Sequence, residues 1–479
     1  MYYIKRAERT VNVFWESVAI EIEKSIAKLK SEYQNKQKPV YFDFRDACNQ
    51  WVKRSDKYTH LIHRYPAKLL PYIPIFFLFD PKCQKKKGYL LDPFAGTGTV
   101  LLEGITHPYN KMDALGVEIN PLARLISKVK TTPLKTSVLE KKADDLLAAI
   151  SKTRRQFEIP QFPNIDLWFK RKAQRDLSRI RYHIEHLRDS NYKDFFWVCF
   201  SSIIRRSSLA DPKIAPPVVL KEIEYSDKKQ TEKVRKQILE KQNPRSIEYF
   251  NEEIIKNIKR MNEFSNVMKN ESVKSQIVWD DVRTLKKGNC AYKGQIDKSS
   301  ATNISGVDLV ITSPPYINAQ KYIRTLKFEI IWLGLMDYSE LIELDKQFIG
   351  TERIYSDDYS EIIQVGENIA DNTIKQIYEK NKKRAGIVAY YYQSMATGMK
   401  KIYDALNPGG RFVLVVGNNL VLGKRIQNHK ILKNIATQQI GFNLDFIAKD
   451  EISSRGMITK RHETSGIILD EWVIVLSKN

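Results

Sequence analysis

One stretch of the sequence constrains the fold more than any other: a short apolar run that passes into a glycine turn and then a helical pattern. Tyr89–Asp92 has the composition of a buried strand, residues 93–99 form the turn, and residues 100–103 begin the helix. Gly96 and Gly98 let the backbone approach a ligand closely and leave amides exposed at a helix N-terminus. The pattern predicts an α/β fold in which ligands bind at the carboxyl ends of parallel strands.

A second predicted strand follows about 20 residues later and ends in an acid, Glu118. A carboxylate at this position holds ribose hydroxyls in dinucleotide-type sites. No Gly-Lys-Ser or Gly-Lys-Thr follows the glycines, so the turn lacks the lysine that binds β- and γ-phosphates. The predicted ligand is a nucleoside without phosphates.

A third feature is the β-branched run Val307–Thr312, which ends in Ser313, Pro314, Pro315 and Tyr316. The prolines fix φ and donate no backbone hydrogen bond, so the loop is rigid and its carbonyls point outward. Ser313 and the Pro314 carbonyl can accept hydrogen bonds from an amino group on a flat ring, and Tyr316 can stack on that ring for roughly 1–3 kcal/mol. The simpler interpretation is a proline turn that caps a core strand.

These stretches resemble two motifs of the amino-group DNA methyltransferases that use S-adenosylmethionine. Phe94-Ala95-Gly96-Thr97-Gly98 resembles the cofactor motif, and Thr312-Ser313-Pro314-Pro315-Tyr316 resembles the catalytic motif. Residues 63–68, 406–419 and 471–476 agree with that family in type and order. The resemblance covers both ends of the chain and not its middle.

The resemblance implies a Rossmann-like, class I methyltransferase fold, with a seven-stranded doubly wound sheet and mainly helical insertions. It implies methyl transfer to an amino group of a base flipped out of duplex DNA. Ser313 in the first motif position resembles the N4-cytosine enzymes. The N6-adenine enzymes usually carry Asp or Asn there, so N6-adenine remains the alternative.

The resemblance assigns the catalytic role to Ser313, Pro314, Pro315 and Tyr316. It assigns cofactor binding to residues of the turn, the strand ends and the segment before the first strand: Tyr65, Pro66, Lys68, Asp92, Phe94, Ala95, Gly96, Thr97, Gly98, Glu118, Ile119, Asn120, Asp280 and Asp281. Either Asp280 or Asp281 could accept a hydrogen bond from the adenine amino group, and the sequence does not choose between them. Gly98→Val is expected to block cofactor binding and leave the fold largely intact.

Three rival functions can be compared with these motifs. A C5-cytosine methyltransferase needs a Pro-Cys nucleophile, and no cysteine follows a proline here. An RNA amino-methyltransferase would use the same chemistry. A non-catalytic nucleic-acid-binding protein would not need Gly96, Gly98, Glu118 and an intact Ser-Pro-Pro-Tyr together.

The charge of the chain predicts a polyanionic partner. Its formal net charge is +23, and surplus Lys and Arg favour phosphate backbones, although charge alone would also suit RNA or a membrane. A basic amphipathic helix is predicted at residues 169–187, and it carries Arg171, Lys172 and Arg175. Arg205 and Arg206 end the next predicted helix, where they either face double-stranded DNA or interact with the helix dipole.

The motifs divide the chain into six segments. Residues 1–60 are predicted as a helical arm; 61–130, 276–335 and 386–479 as three parts of the catalytic domain; and 131–275 and 336–385 as insertions. Residues 131–275 form the candidate target-recognition region, and the stretch 221–276, which reaches the C-terminal boundary of that region, is predicted as a solvated helical hairpin. This main insertion precedes the third strand rather than the catalytic strand, which departs from the related subgroup.

Composition also bears on redox state and location. The four cysteines are scattered with no Cys-x-x-Cys pair, which predicts neither a zinc site nor a disulfide framework. His60 and His63 lack the spacing of helix-borne zinc ligands. No stretch resembles a signal peptide or a membrane span. We therefore expect a cytoplasmic protein without a metal, with a cognate restriction endonuclease or defence-system component as a possible partner.

Overall fold

The computed structural model describes residues 2–49, 56–65, 69–80, 88–222, 228–285, 289–290, 302–303, 306–317, 322–352, 360–451 and 470–479. The strands in this part of the chain are β1 (Val40–Tyr41), β2 (Tyr89–Asp92), β3 (Asp113–Val117), β4 (Ser275–Trp279), β5 (Asn289–Cys290), β6 (Thr302–Asn303), β7 (Val307–Thr312), β8 (Leu406–Gly417), β9 (Asn419–Val421), β10 (Lys424–Ile426), β11 (Asn443–Glu451) and β12 (Asp470–Ser477).

The helices of the described residues are numbered in the same way, in chain order. They are α1 (Tyr2–Lys36), α2 (Phe44–Asn49), α3 (Tyr72–Leu78), α4 (Thr99–Thr106), α5 (Pro121–Thr131), α6 (Thr136–Lys152), α7 (Ile165–Trp168), α8 (Arg171–Glu185), α9 (Ser190–Ser207), α10 (Lys228–Gln242), α11 (Ser246–Met268), α12 (Tyr322–Trp332), α13 (Tyr338–Gln347), α14 (Asn368–Tyr378), α15 (Lys382–Ala405) and α16 (Asn428–Asn434). A 3₁₀ turn spans Val282–Thr284, and a π-helical turn spans Ile435–Ile440.

The main sheet of the described residues has eight strands in the order β1-β11-β12-β8-β7-β2-β3-β4. β4, β3, β2, β7 and β8 are parallel to one another, whereas β12 is antiparallel to both β8 and β11. The order along the sheet reverses direction at the neighbours β2 and β7. In open α/β sheets, ligands bind at such a switch point, outside the carboxyl ends of the strands.

The expected number of seven strands is wrong by one. Each of the seven predicted strands is present, and Val40–Tyr41 adds an eighth that pairs in parallel with β11, with Val40 opposite Ala448. Two residues are too few to give a periodic pattern, which is why the sequence shows only an aromatic run there.

Alternating side chains divide the core between the two faces of the sheet. On β8, Val413 and Val415 pack into one hydrophobic cluster, while Phe412 and Leu414 pack into the other. The first cluster is covered by α1, α3–α6, α8, α9, α11 and α12, and the second by α14–α16. Both faces are therefore buried, as the apolar composition of the parallel strands predicts.

The predicted solvated hairpin at residues 221–276 is only partly correct. Its two helices, α10 and α11, are present. However, Phe250, Ile254, Met261 and Phe264 of α11 are fully buried in the first cluster. These side chains recur every three to seven residues, so they form one apolar face, which packs against α9.

No helix in the described ranges is long and apolar enough to cross a membrane. Cys48 and Cys199 are free and buried. Within the same ranges, no group of three or more His, Cys, Asp or Glu side chains is arranged to hold a metal ion.

Candidate functional site

A pocket opens to solvent where β2, β3, β4 and β7 end, with about 680 Å³ of space when the adjoining solvent is included. Its walls come from the segments that follow these strands, from Tyr65 and from the end of α13. The lining residues are Tyr65, Pro93, Phe94, Gly96, Val117, Glu118, Ile119, Asp280, Asp281, Val282, Arg283, Ser313, Pro315, Gln347, Phe348 and Ile349. The structure thus brings predicted cofactor and catalytic residues to one cavity.

The two glycines of the turn have different roles. Gly96 has φ of 51°, and a Cβ built on it would meet no atom within 4 Å, because it would project into the open pocket. Gly98 has φ of 75°, and a Cβ there would overlap the hydroxyl of Ser127 on α5. Gly98 therefore permits close packing of α4 on α5. This close packing predicts that Gly98→Val disturbs the fold, in contrast to the expectation that it leaves the fold largely intact.

Glu118 lies just beyond β3 and closes the glycine turn. Its two carboxylate oxygens accept hydrogen bonds from the amides of Gly96 and Asn120, each at 2.8 Å. Burial raises the pKa of Glu118, while the two amides and Arg124 act in the opposite direction. An acid held by backbone amides beside an open cradle is suited to accept hydrogen bonds from ligand hydroxyls.

Asn120 and Tyr65 connect the pocket to the segment before β2. The Asn120 side chain caps α5 by accepting from the Leu122 amide at 3.0 Å, and it donates to the Tyr65 hydroxyl at 3.1 Å. Tyr65 is buried and lines the pocket. Pro66 and Lys68 lie outside the described residues.

Three predicted cofactor residues support the turn from behind. Ala95 and Thr97 are buried and do not line the pocket, and Thr97 accepts a hydrogen bond from the fully buried Lys130 at 3.2 Å. Asp92 is buried at the end of β2, where its carboxylate accepts from the Phe94 amide at 3.1 Å. These residues shape the turn rather than its open surface.

Asp280 and Asp281, which the sequence could not distinguish, differ in the structure. Asp280 is exposed. Asp281 accepts from the Arg283 amide at 2.9 Å and pairs with the Arg283 guanidinium at 2.6 Å, with both side chains 18% exposed. The orientation of Asp281 is therefore fixed, whereas that of Asp280 is not restrained in this way.

The predicted catalytic loop follows β7 directly. Ser313 and Pro315 line the pocket, Pro314 is buried, and Tyr316 is half-buried. The buried amide of Asn419 supports the end of the loop, because its nitrogen donates to the Ile317 carbonyl at 3.1 Å.

Sequence reasoning missed the wall formed by Gln347, Phe348 and Ile349, and it missed Arg283. Two signals could have indicated this wall. Asp337 and Glu340 form a capping box that begins α13, and a glycine, Gly350, follows Ile349.

Of the five predicted DNA-binding residues, three lie on α8 and two lie in the last turn of α9. Arg171 and Arg175 are exposed on α8, and Arg171 also lies 3.5 Å from Asp166. Lys172 donates to the Pro244 carbonyl at 2.6 Å.

Arg205 and Arg206 make contacts within the protein. Arg205 donates to the carbonyls of Asp211 at 3.1 Å and Ala215 at 2.6 Å, and it also contacts the Ile214 carbonyl. Arg206 pairs with Glu252 at 2.8 Å. Arg205 thus holds the loop that follows α9.

No protein-family model matches the chain. The chain is 27% identical over 396 residues to the type II methyltransferase M.MvaI of Kocuria varians, and the match covers 76% of this chain and 77% of that protein. The type II methyltransferases M.AvaI of Nostoc sp. and of Anabaena variabilis are each 25% identical over 154 residues, which is 29% of this chain and 32% of theirs. The chain is thus similar over about three quarters of its length to a protein named as a type II methyltransferase.

Proposed function

We propose that the protein is a DNA methyltransferase that uses S-adenosylmethionine and methylates the N4 amino group of cytosine in duplex DNA. The observation that carries this proposal is the pocket that joins the glycine turn and Glu118 to Ser313 and Pro315. A site for a nucleoside and a loop for an amino-bearing ring therefore share one cavity, as transfer of a group from one to the other requires.

The residues present fit S-adenosylmethionine. Gly96 leaves open space for a ligand, Glu118 would hold the ribose hydroxyls, and Phe94 and Ile119 supply apolar surface. The bound cofactor would supply an electrophilic methyl group.

We propose Asp281 as the acceptor for the adenine amino group. Its carboxylate receives the amide, Nε and Nη2 of Arg283, with Nε shared between the two oxygens. These four contacts fix the direction of the carboxylate beside the pocket that it lines. Asp281→Ala should weaken binding of S-adenosylmethionine more than Asp280→Ala, and equal affinities in a calorimetric titration would remove this assignment.

The loop residues provide the catalysis. An exocyclic amine is a poor nucleophile because its lone pair is delocalised into the ring. The Ser313 hydroxyl and the Pro314 carbonyl would accept hydrogen bonds from that amine and draw its hydrogens towards a tetrahedral arrangement, which frees the lone pair. Tyr316 would stack on the ring, so positioning and electrostatics act without a covalent enzyme intermediate.

Duplex DNA is the substrate we infer, because base pairing hides the amino nitrogen and flipping exposes it at a cost of a few kcal/mol. The net charge of +23 and the exposed Arg171 and Arg175 on α8 favour a phosphate backbone. We propose further that the protein acts in restriction-modification or phage defence, with a cognate endonuclease or another defence component as partner. Methylome sequencing of an expressing host, with inspection of the neighbouring genes, tests this part.

The alternative target is the N6 amino group of adenine, since the same loop can accept hydrogen bonds from either amine. Nucleoside mass spectrometry of DNA methylated by the purified protein decides between them. We expect N4-methylcytosine. N6-methyladenine without N4-methylcytosine would overturn the choice of base, and methylation of tRNA in place of duplex DNA would overturn the choice of substrate.

A further inference from the structure

Residues 347–350, which we call the shared wall, run from Arg283 on one side of the pocket to the catalytic loop on the other. Gln347 ends α13, and Phe348 and Ile349 line the pocket directly after it. A capping box fixes the start of α13, and Leu341 and Leu344 bury its apolar face. The shared wall therefore extends from an anchored helix.

Arg283 holds one end of the shared wall. Its Nη2 donates to the Gln347 carbonyl at 2.5 Å, while Nε and the same Nη2 pair with the Asp281 carboxylate. Its Nη1 donates to the Tyr390 hydroxyl of α15 at 2.6 Å. One planar guanidinium thus connects the segment after β4, the end of α13 and α15, which a lysine could not do because it lacks the fork of donors.

Gly350 holds the other end against the catalytic loop. It has φ of 84°, and a Cβ built on it would lie 2.8 Å from the Tyr316 carbonyl oxygen and 3.8 Å from the Pro315 Cβ. Real Cβ atoms do not approach a backbone oxygen this closely, so any other residue would displace the wall or the loop. Glycine therefore permits direct contact between the shared wall and the Pro315-Tyr316 backbone.

We propose that Arg283 and Gly350 are positioning residues that couple the cofactor end of the pocket to the catalytic loop through the shared wall. This inference rests on the proposed methyltransferase function. The connection runs from Asp281 through Arg283 to Gln347, and then along residues 347–350 to the Tyr316 carbonyl. The same network thereby holds both the Asp281 carboxylate and the loop that receives the base.

Gly350→Ala tests the loop end. We expect kcat for methylation of unmethylated, amplified genomic DNA to fall by about tenfold to a hundredfold, because displacement of a reacting group by about 1 Å has that effect. The affinity for S-adenosylmethionine should stay within about twofold, since Gly350 contacts the loop and not the cofactor end.

Gly441→Ala is the matched control. Gly441 has φ of 101°, it precedes β11 at the opposite end of the sheet, and its Cβ would meet only the Tyr403 hydroxyl at 3.9 Å. It carries the backbone strain of a left-handed residue without a contact to the pocket. A purely structural role for Gly350 predicts that both variants lose thermal stability and active fraction alike, with kcat per bound cofactor unchanged.

Arg283→Lys tests the cofactor end. It keeps the positive charge beside Asp281 but cannot reach Asp281, Tyr390 and Gln347 together. We expect cofactor affinity to fall by about fivefold or more and kcat to fall as well. Tyr390→Phe, which removes only the hydroxyl, should give a weaker change of the same kind without a risk to folding.

The double variant Arg283→Lys/Gly350→Ala completes a double-mutant cycle with the two single variants. If both residues act through the shared wall, the combined loss in kcat is smaller than the product of the single losses. Independent, multiplicative losses would overturn the proposal, and so would full kcat in Gly350→Ala. A wild-type protein that binds no S-adenosylmethionine or methylates no DNA would instead overturn the proposed function, so the two failures are distinguishable.

Discussion

The hydroxyl of Thr312 donates a 2.6 Å hydrogen bond to the carboxylate of Asp92. Asp92 ends β2 and Thr312 ends β7, so the bond joins the two strands at the point where each enters its loop. The same carboxylate oxygen accepts from the Phe94 amide at 3.1 Å. One buried acid therefore organises both the glycine turn and the start of the Ser-Pro-Pro-Tyr loop.

Asp92→Asn is expected to change how stability depends on pH. Burial raises the pKa of Asp92 to about 7, so the folded chain holds its proton more tightly than the unfolded chain. As pH rises from about 4 to about 7, the unfolded chain loses this proton first, and the wild-type protein loses up to about 4 kcal/mol of stability. Asparagine keeps an oxygen for Thr312 and does not ionise.

Urea unfolding of the wild type and of Asp92→Asn at pH 5 and pH 8 measures this effect. The wild type should lose stability relative to the variant between these values, with no further relative change above pH 8. Asp280→Asn, at an exposed carboxylate, is the control. Parallel pH profiles for the wild type and Asp92→Asn would contradict the prediction.

Glu118→Ala is expected to weaken binding of S-adenosylmethionine by about tenfold to a hundredfold, the range for loss of hydrogen bonds to a charged group. The loss also frees the Gly96 and Asn120 amides, which the carboxylate holds in place. Isothermal titration measures the affinity, with Glu140→Ala at an exposed position on α6 as control. Unchanged affinity would remove Glu118 from the site.

Gly96→Ala and Gly98→Ala should separate binding from folding. A methyl group at Gly96 projects into open space in the pocket, so cofactor affinity should fall with a modest loss of stability. A methyl group at Gly98 overlaps Ser127, so stability should fall by about 1–3 kcal/mol or more. Thermal melts and titration of both variants test this, and the opposite assignment of effects would refute it.

Ser313→Ala should lower turnover by up to about tenfold, because it removes one hydrogen bond to the target amine. Tyr316→Ala should lower turnover further, by about fivefold to a hundredfold, because it removes the stacking surface. Tyr316→Phe retains that surface and is the matched control. Both alanine variants should still bind S-adenosylmethionine, and full activity in Tyr316→Ala would show that the loop is not the base site.

Charge reversal at Arg171 and Arg175 should weaken DNA binding across all sequences. Each lost phosphate contact should lower the slope of log affinity against log salt by about 0.9. Lys400→Glu is the charge-matched control, because Lys400 lies on α15 just before the amino end of β8, away from the pocket. If the Arg171, Arg175 and Lys400 variants all have the same salt slope, the exposed face of α8 faces solvent and does not bind DNA.

The sequence predicted the parts of the site that depend on local backbone chemistry. Strand periodicity located β2, β3, β4 and β7, and the glycines and prolines marked the loops that follow them. Because parallel strands end at one edge of the sheet, the sequence pattern alone was enough to place Glu118 and Ser313 at the same edge.

The parts that depend on packing could not be predicted. Gly98 and Gly96 look equivalent in sequence, and only the position of Ser127 on α5 distinguishes them. The shared wall reaches the pocket through the placement of α13, and the buried face of α11 depends on its packing against α9. Arg205 looks like a cation for DNA, yet its guanidinium binds the carbonyls of its own loop.

The two-residue strand β1 has a consequence for the association of the protein with itself. β11 would otherwise be an outer strand with a row of unpaired amides and carbonyls, a template for strands of other molecules. Val40 and Tyr41 occupy part of that row, and α1 packs beside them. Shortened versions that begin after Tyr41 would thus expose an unpaired strand edge, and we would expect them to aggregate during expression even if the pocket remained complete.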